Sequence, residues 1–212
     1  MKIKSFRFLI LLSCVFLLSS SCAILNTPIK DLFLLENTSN EKQEPTIQYK
    51  IGDKGPAGGI IAYKNNDSSM DWTYIEVAPS NWNNEEIDPK FFWGARKKKV
   101  GELAREIGSG YDNTKRIVDF ISQYEVASYA ALVCDQLNFG GYNDWFLPCD
   151  EELYLLYTNL HLNGLGNFSI DDSYYSSSEV NSLNSHILSM KNGNIASSSK
   201  NSPKYIRPIR RF

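Results

Sequence analysis

Histidine is nearly missing from this chain: of 212 residues only His161 and His186 carry an imidazole. A metal site of Cys/His type therefore has little to be built from. Any Ser-His-Asp nucleophile has to pass through one of those two residues, and neither sits in a recognisable motif. The serine runs at 176–178 and 197–199 lack the Gly-x-Ser-x-Gly turn that presents a nucleophile. Long apolar runs are also missing. The longest, Phe8 to Leu18, is about 11 residues, short of the ~20 a spanning helix needs. No Lys-Ser/Thr helix start follows the glycine-rich stretch Gly52–Gly59. The phosphate cradle that such a stretch can announce is therefore incomplete, and a tight turn is the better reading. Charge of one sign is not in excess either, with a net of −2.

What is present begins with an export signature. Lys2, Lys4 and Arg7 precede the apolar run, Ser19-Ser20-Ser21 follow it, and Cys22 comes next. A basic start, a short greasy centre and a small-residue exit read as a secretory signal over residues 1–21. The exit resembles the bacterial lipoprotein box in a relaxed form, with Ser19 where leucine is usual and Leu18 one step earlier. This resemblance implies cleavage before Cys22, lipidation of its thiol and tethering to the cell envelope. Ala23 permits an outer-membrane destination. Each buried acyl methylene adds ~0.8 kcal/mol to such an anchor. Removing the leader takes three of the 22 basic residues and none of the 24 acidic ones. The mature net charge becomes about −5, which argues against a nucleic-acid partner. Cys14 and Cys22 belong to this region, leaving Cys134 and Cys149. In an oxidising compartment that pair is expected to form a disulfide worth ~3 kcal/mol, with two free buried thiols or a metal pair as the competing readings.

Residues 22–48 read as a tether. Asn37 to Gln48 is almost devoid of apolar side chains and is expected to be solvated. Ile29 to Leu35 is greasier, with packing on the domain or on the membrane surface both open. Residues 49–212 form the globular part. Ile60–Tyr63 and Trp72–Ala78 are expected strands. Thr114–Tyr124 places Ile117, Phe120, Ile121 and Tyr124 on one helical face. Val126–Leu137 places Ala127, Ala130, Ala131 and Cys134 on another. After Pro148, the acidic Asp150-Glu151-Glu152 suits a helix start, and Leu153, Leu156, Tyr157 and Leu160 form its apolar stripe. Tyr174–Ser178, His186–Met190 and Tyr205–Arg211 are expected strands, with Asn192-Gly193 as a hairpin turn between the last two. The fold class is α+β, with two to three helices packed on an antiparallel sheet.

Four blocks of the second half are spaced alike in one family: Gly141-Tyr142-Asn143-Asp144-Trp145-Phe146-Leu147-Pro148, Glu151-Glu152-Leu153, Tyr175-Ser176-Ser177-Ser178-Glu179, and Ile206-Arg207-Pro208-Ile209-Arg210-Arg211-Phe212. With the opening Gly-Asp-x-Gly-Pro-Ala-Gly-Gly, Trp93-Gly94 and the stretch Ile107–Thr114, they resemble the Lcl C-terminal domain over nearly all of residues 50–212. The departures are Phe146 for the usual arginine, Tyr175 for tryptophan and Cys149 for the Ser/Thr that would cap the following helix. The resemblance implies a C-type lectin-like fold and binding roles at cell surfaces, in some members toward sulfated glycans. It marks Asp144, Trp145, Pro148, Glu179, Arg207, Pro208 and Arg210 as motif residues.

Chemistry-bearing candidates are few. Asn143-Asp144-Trp145 is similar to the calcium ligands of true C-type lectins, but it supplies few of the six to eight oxygens calcium takes. Asp144 is expected to pair with Arg207 or Arg210 instead. Arg207 is read as structural and Arg211 stays open as an anion contact. Arg96-Lys97-Lys98-Lys99 is the densest positive run, either a solvated loop or a contact for anionic glycans or lipid headgroups. No catalytic residue, metal or cofactor is expected. The partners expected are a membrane, through the lipid, and an anionic glycan or host surface ligand. A structural envelope lipoprotein and an enzyme acting on envelope or host polymers are the competing readings.

Overall fold

The computed structural model describes residues 47–212, which form one unit. The expectations for the leader, for Cys22 and for the tether up to residue 46 lie outside the described residues. Among the described residues three strands, three α-helices and five further strands follow in that order, an α+β arrangement. Strands β1 (Ile60–Lys64), β2 (Tyr74–Val77) and β8 (Ile209–Arg211) make an antiparallel sheet in the order β1-β2-β8. Strands β3 (Lys90–Phe91), β4 (Ser173–Glu179), β5 (Asn184–Ser189), β6 (Ile195–Ser199) and β7 (Lys204–Tyr205) make a second sheet in the order β3-β7-β4-β5-β6. Its β4–β7 pair is parallel and the rest antiparallel.

The expected single strand Tyr205–Arg211 is two strands in two sheets. Pro208 has no N–H to offer a ladder, and its carbonyl accepts from the Ala78 amide at 3.0 Å. The chain therefore leaves one sheet after Tyr205 and joins the other at Ile209. Asn192-Gly193 does turn a hairpin, but the returning strand is β6, which alternation did not reveal because its residues are small, polar and mostly exposed.

Helix α1 (Gly110–Ser122) starts four residues earlier than its apolar stripe suggests and buries Asn113, Thr114, Ile117 and Ile121. Helix α2 (Ala130–Asp135) is shorter than expected. Tyr129 is extended, the Ala130 amide donates to Phe92 O at 2.9 Å, and residues 126–128 are exposed. Helix α3 (Asp150–Leu155) continues through a π-turn, Leu156–Leu160, and a 3₁₀ turn, His161–Asn163. Leu153, Leu156 and Leu160 are buried as the stripe requires.

The core falls into two clusters, and the motif Trp145-Phe146-Leu147 sits between them. Trp145 and Leu147 join Trp93, Ile117, Ile121, Ala130 and Ala131; Phe146 turns the other way to Ile75, Val77, Leu153 and Ile209. Tyr174 and Tyr175 divide in the same manner. This is the period-2 alternation of extended chain serving two cores at once.

The expected Cys134–Cys149 disulfide is not formed: both thiols are free and buried. Cys134 faces the first cluster from α2. Cys149 stands before α3 and its thiol donates to Glu106 O at 3.1 Å. The capping box expected to be lost with serine is kept: the Cys149 side chain receives the Glu152 amide, and the Glu152 carboxylate accepts from the Cys149 amide at 2.8 Å and from the Gly108 amide at 2.9 Å.

Candidate functional site

The glycine-rich turn before β1 does hold an anion, and the anion is the chain's own. Glu76 on β2 is fully buried. Its carboxylate accepts from the amides of Ala57 (3.1 and 3.2 Å) and Gly59 (2.8 Å). The guanidinium of Arg210 donates to it at 3.2 Å and reaches Asp144 in fork geometry at 2.7 and 2.8 Å. A Cβ at Gly59 would lie 2.1 Å from Val77 O, and one at Gly55 would lie 2.4 Å from the Glu76 carboxyl group. Gly55 is required by close approach to a buried carboxylate and Gly59 by close approach to the β2 backbone, and the cradle is full. Asp144 thus pairs with Arg210, one of the two partners expected of it.

Arg207 takes a structural place too, with a partner that no sequence signal pointed to. It forks onto Asp88 at 2.5 and 2.6 Å, and both side chains are fully buried. Trp82 Nε1 (2.9 Å) and the Tyr174 hydroxyl (2.6 Å) complete the Asp88 shell. Arg211 donates to Gly108 O at 2.6 Å and lies over the Tyr111 ring. Pro148 contributes its carbonyl, which accepts from the Ser177 amide at 2.8 Å.

The positive run lies on a shaped, fastened loop. Ala95 and Lys97 have positive φ (50° and 66°), as does Gly94. Arg96, Lys97, Lys98 and Lys99 are all exposed. Two residues hold the loop from beneath. Glu179, at the end of β4, accepts from the amides of Val100 (3.1 Å) and Gly101 (3.3 Å). Lys200 donates to Glu179 and, at 2.9 Å, to Lys98 O, with its ammonium 4.5 Å from the Trp93 ring. The side chains of Lys200 and Glu179 are both fully buried. Burial pulls the Lys200 ammonium below its usual range, while Glu179 opposes the shift. The motif residue Glu179 and the run at 96–99 are therefore one assembly. Lys200 was missed, because a lone lysine after a serine run carries no signal of burial.

Beside this loop lies a cleft of about 330 Å³. Phe92, Tyr124 and Val126 supply its apolar wall, Arg96 and Lys98 its positive rim, and Ser128 and Asn201 neutral hydrogen-bonding groups. The Lys98 ammonium stands 4.3 Å over the Tyr124 ring, an arrangement that holds the cation against the aromatic face. Lys99 pairs with Glu102 at 2.7 Å and points its charge elsewhere. The cleft can take a ligand with one negative group and one flat or apolar face.

A second constellation surrounds Asp150. Its carboxylate accepts from Ser176 Oγ at 2.5 Å and Arg105 Nε at 2.6 Å, and His186 Nδ1 lies 3.3 Å away. Burial holds the His186 imidazole below its usual range, which leaves it neutral near pH 7. Ser, His and Asp are thus adjacent, but the order differs from that of a nucleophile relay: the Ser176 hydroxyl donates its hydrogen bond to the carboxylate rather than to the imidazole. Ser176 is also buried, with no access for an acyl substrate. Among the described residues, no group of three or more Cys, His, Asp or Glu side chains is arranged to hold a metal ion.

No protein-family model matches this chain, and no curated protein matches it significantly.

Proposed function

We propose that this chain is an envelope-anchored lipoprotein whose C-type lectin-like domain, residues 49–212, binds an anionic glycan or host surface ligand without acting on it chemically. The observation that carries the reading is the cleft beside the positive loop. Arg96 and Lys98 rim an apolar wall of Phe92, Tyr124 and Val126 on a loop locked by Glu179 and Lys200. A pre-shaped loop lowers the ordering cost of binding. An aromatic face beside fixed cations suits a sugar ring carrying a carboxylate or sulfate. The resemblance to the Lcl C-terminal domain supports the same reading, as does the leader of residues 1–21 ahead of Cys22.

A glycan array probed with the mature protein tests it. Binding is expected to concentrate on acidic glycans, to weaken as salt rises and to fall by about tenfold on replacing Arg96 and Lys98 by Ala. Uniform silence across acidic glycans would leave the structural envelope role as the better account. Turnover of a bound polymer, lost with His186→Ala, would replace it with an enzyme. Mass spectrometry of the native product tests the address, with a diacylated or triacylated Cys22 expected at the N-terminus.

A further inference from the structure

Strand β6 ends the five-stranded sheet. Its inner side pairs with β5 at five consecutive positions, from Asn184↔Ser199 to Leu188↔Ile195, without a bulge. The bond from the Ser189 amide to Asn194 O sets the alternation, which turns the N–H and C=O groups of Ile195 and Ser197 outward. Among the described residues, no strand pairs with that outer side. Sheets usually blunt such an edge with lysine, proline or a bulge. The run Ile195-Ala196-Ser197-Ser198-Ser199 has none of these and is mostly exposed.

Next to the edge, between β6 and α3, is a cleft of about 410 Å³ lined by Arg105, Glu106, Asp150, Glu151, Tyr154 and Ile195. Arg105 and Asp150 neutralise one another at 2.6 Å, so the remaining charge comes from the exposed carboxylates of Glu106 and Glu151. Tyr154 and Ile195 are 45% and 40% exposed, an apolar lining without an occupant among the described residues. We propose that β6 is a docking edge for an extended segment of a partner protein. The segment adds as a sixth strand and lays one Lys or Arg side chain into the cleft. Glu106 and Glu151 meet its charge, and Tyr154 and Ile195 meet its methylene stem. A second copy of this chain fits less well, because β6 has no cation to offer the facing cleft.

The test is selection of a random heptapeptide display library on the full chain, followed by synthesis of the enriched peptides. Enriched sequences are expected to alternate β-forming residues and to carry Lys or Arg at one fixed position. Their affinity should fall by about tenfold or more on Ser197→Pro, which removes an outward donor while sparing the ladder to β5, and on Glu151→Lys. The melting temperature should stay unchanged in Ser197→Pro and fall by no more than ~2–4 °C in Glu151→Lys, which gives up the bond from the Ile107 amide at 3.1 Å and a favourable helix-start charge. N-methylation of alternate peptide amides should abolish binding to the unaltered protein, a result that does not depend on how Ser197→Pro folds. An absence of enriched peptides, or binding indifferent to both Ser197→Pro and N-methylation, overturns the proposal. Self-association by sedimentation that disappears in Ser197→Pro also overturns it, in favour of a second copy.

Discussion

Replacing Lys200 by Met keeps most of the stem's volume and removes the ammonium from a site where neither it nor Glu179 touches solvent. Three interactions disappear together: the pair with Glu179, the bond to Lys98 O and the contact with the Trp93 ring. Stripping one partner from a buried ion pair costs ~3–5 kcal/mol, because the other charge is left without compensation. Glu179 keeps the amides of Val100 and Gly101, which sets the expected cost at the lower end, about 3 kcal/mol. For a domain of this size each kcal/mol lowers the melting temperature by ~2–4 °C, so a fall of about 6–12 °C is expected by calorimetry. Glu179→Gln should cost a similar amount. The double variant should cost less than the sum by ~2 kcal/mol, since it leaves no uncompensated charge. Amide exchange at Val100 and Gly101 should accelerate in both single variants, reporting a released loop. A melting temperature within ~2 °C of the parent, or strictly additive single variants, would refute the claim that this pair fastens the positive loop.

Other consequences are equally open to measurement. Gly59→Ala should destabilise by more than ~3 kcal/mol in urea unfolding, since the added Cβ meets Val77 O at 2.1 Å; a loss below 1 kcal/mol on the order of ordinary surface changes would contradict the close approach. Phe146→Arg, which installs the residue usual in the resembling family, places a charge between Tyr111 and the second core cluster at a site with no exposure; a loss of ~3 kcal/mol or more is expected, and tolerance would show that the site opens. Cys134 and Cys149 should resist a thiol reagent in the native protein, since burial raises both thiols, and both should react in denaturant, with the melting temperature indifferent to reductant; a reductant-sensitive melting temperature would restore the disulfide. For Asp172, burial works to raise the pKa, but hydrogen bonds from Lys204 and Lys90 outweigh it and hold the group at about 2. Its folded pKa lies below the unfolded value, so its stabilisation is complete above that value and is lost as pH falls from about 4 to about 2. The effect should be ~1 kcal/mol after discounting for solvent, and Asp172→Asn should flatten the stability curve in that window.

Periodicity located what local burial governs. The stripe Leu153–Leu160, the strand at Ile60–Tyr63 and the hairpin at Asn192-Gly193 were legible because each advertises its environment through spacing or turn chemistry. The boundaries of α2 were not, because its start depends on a bond to Phe92, about forty residues upstream. Asp144 with Arg210 was within reach of a charge-pairing argument; Asp88 with Arg207 was not, since nothing near Asp88 distinguishes it from a surface aspartate. The positive run was visible, while the pair that holds it was hidden. Lys200 and Glu179 meet only in three dimensions, and burying a lysine is rare enough that pattern reading assigns it to the surface.

The passage of Ile206–Pro208 from one sheet to the other has a kinetic corollary. Arg207 closes the Asp88 network, Arg210 closes the Glu76 cradle, and the amide of Phe212 donates to Tyr74 O at 3.1 Å. Each of these joins the tail to segments well over a hundred residues earlier. During ribosomal synthesis the upstream portion therefore holds two unneutralised carboxylates and an open sheet until residues 207–212 emerge. A chain cut before Arg207 would be deprived of both clasps, one that proteases should clear rather than one with partial function.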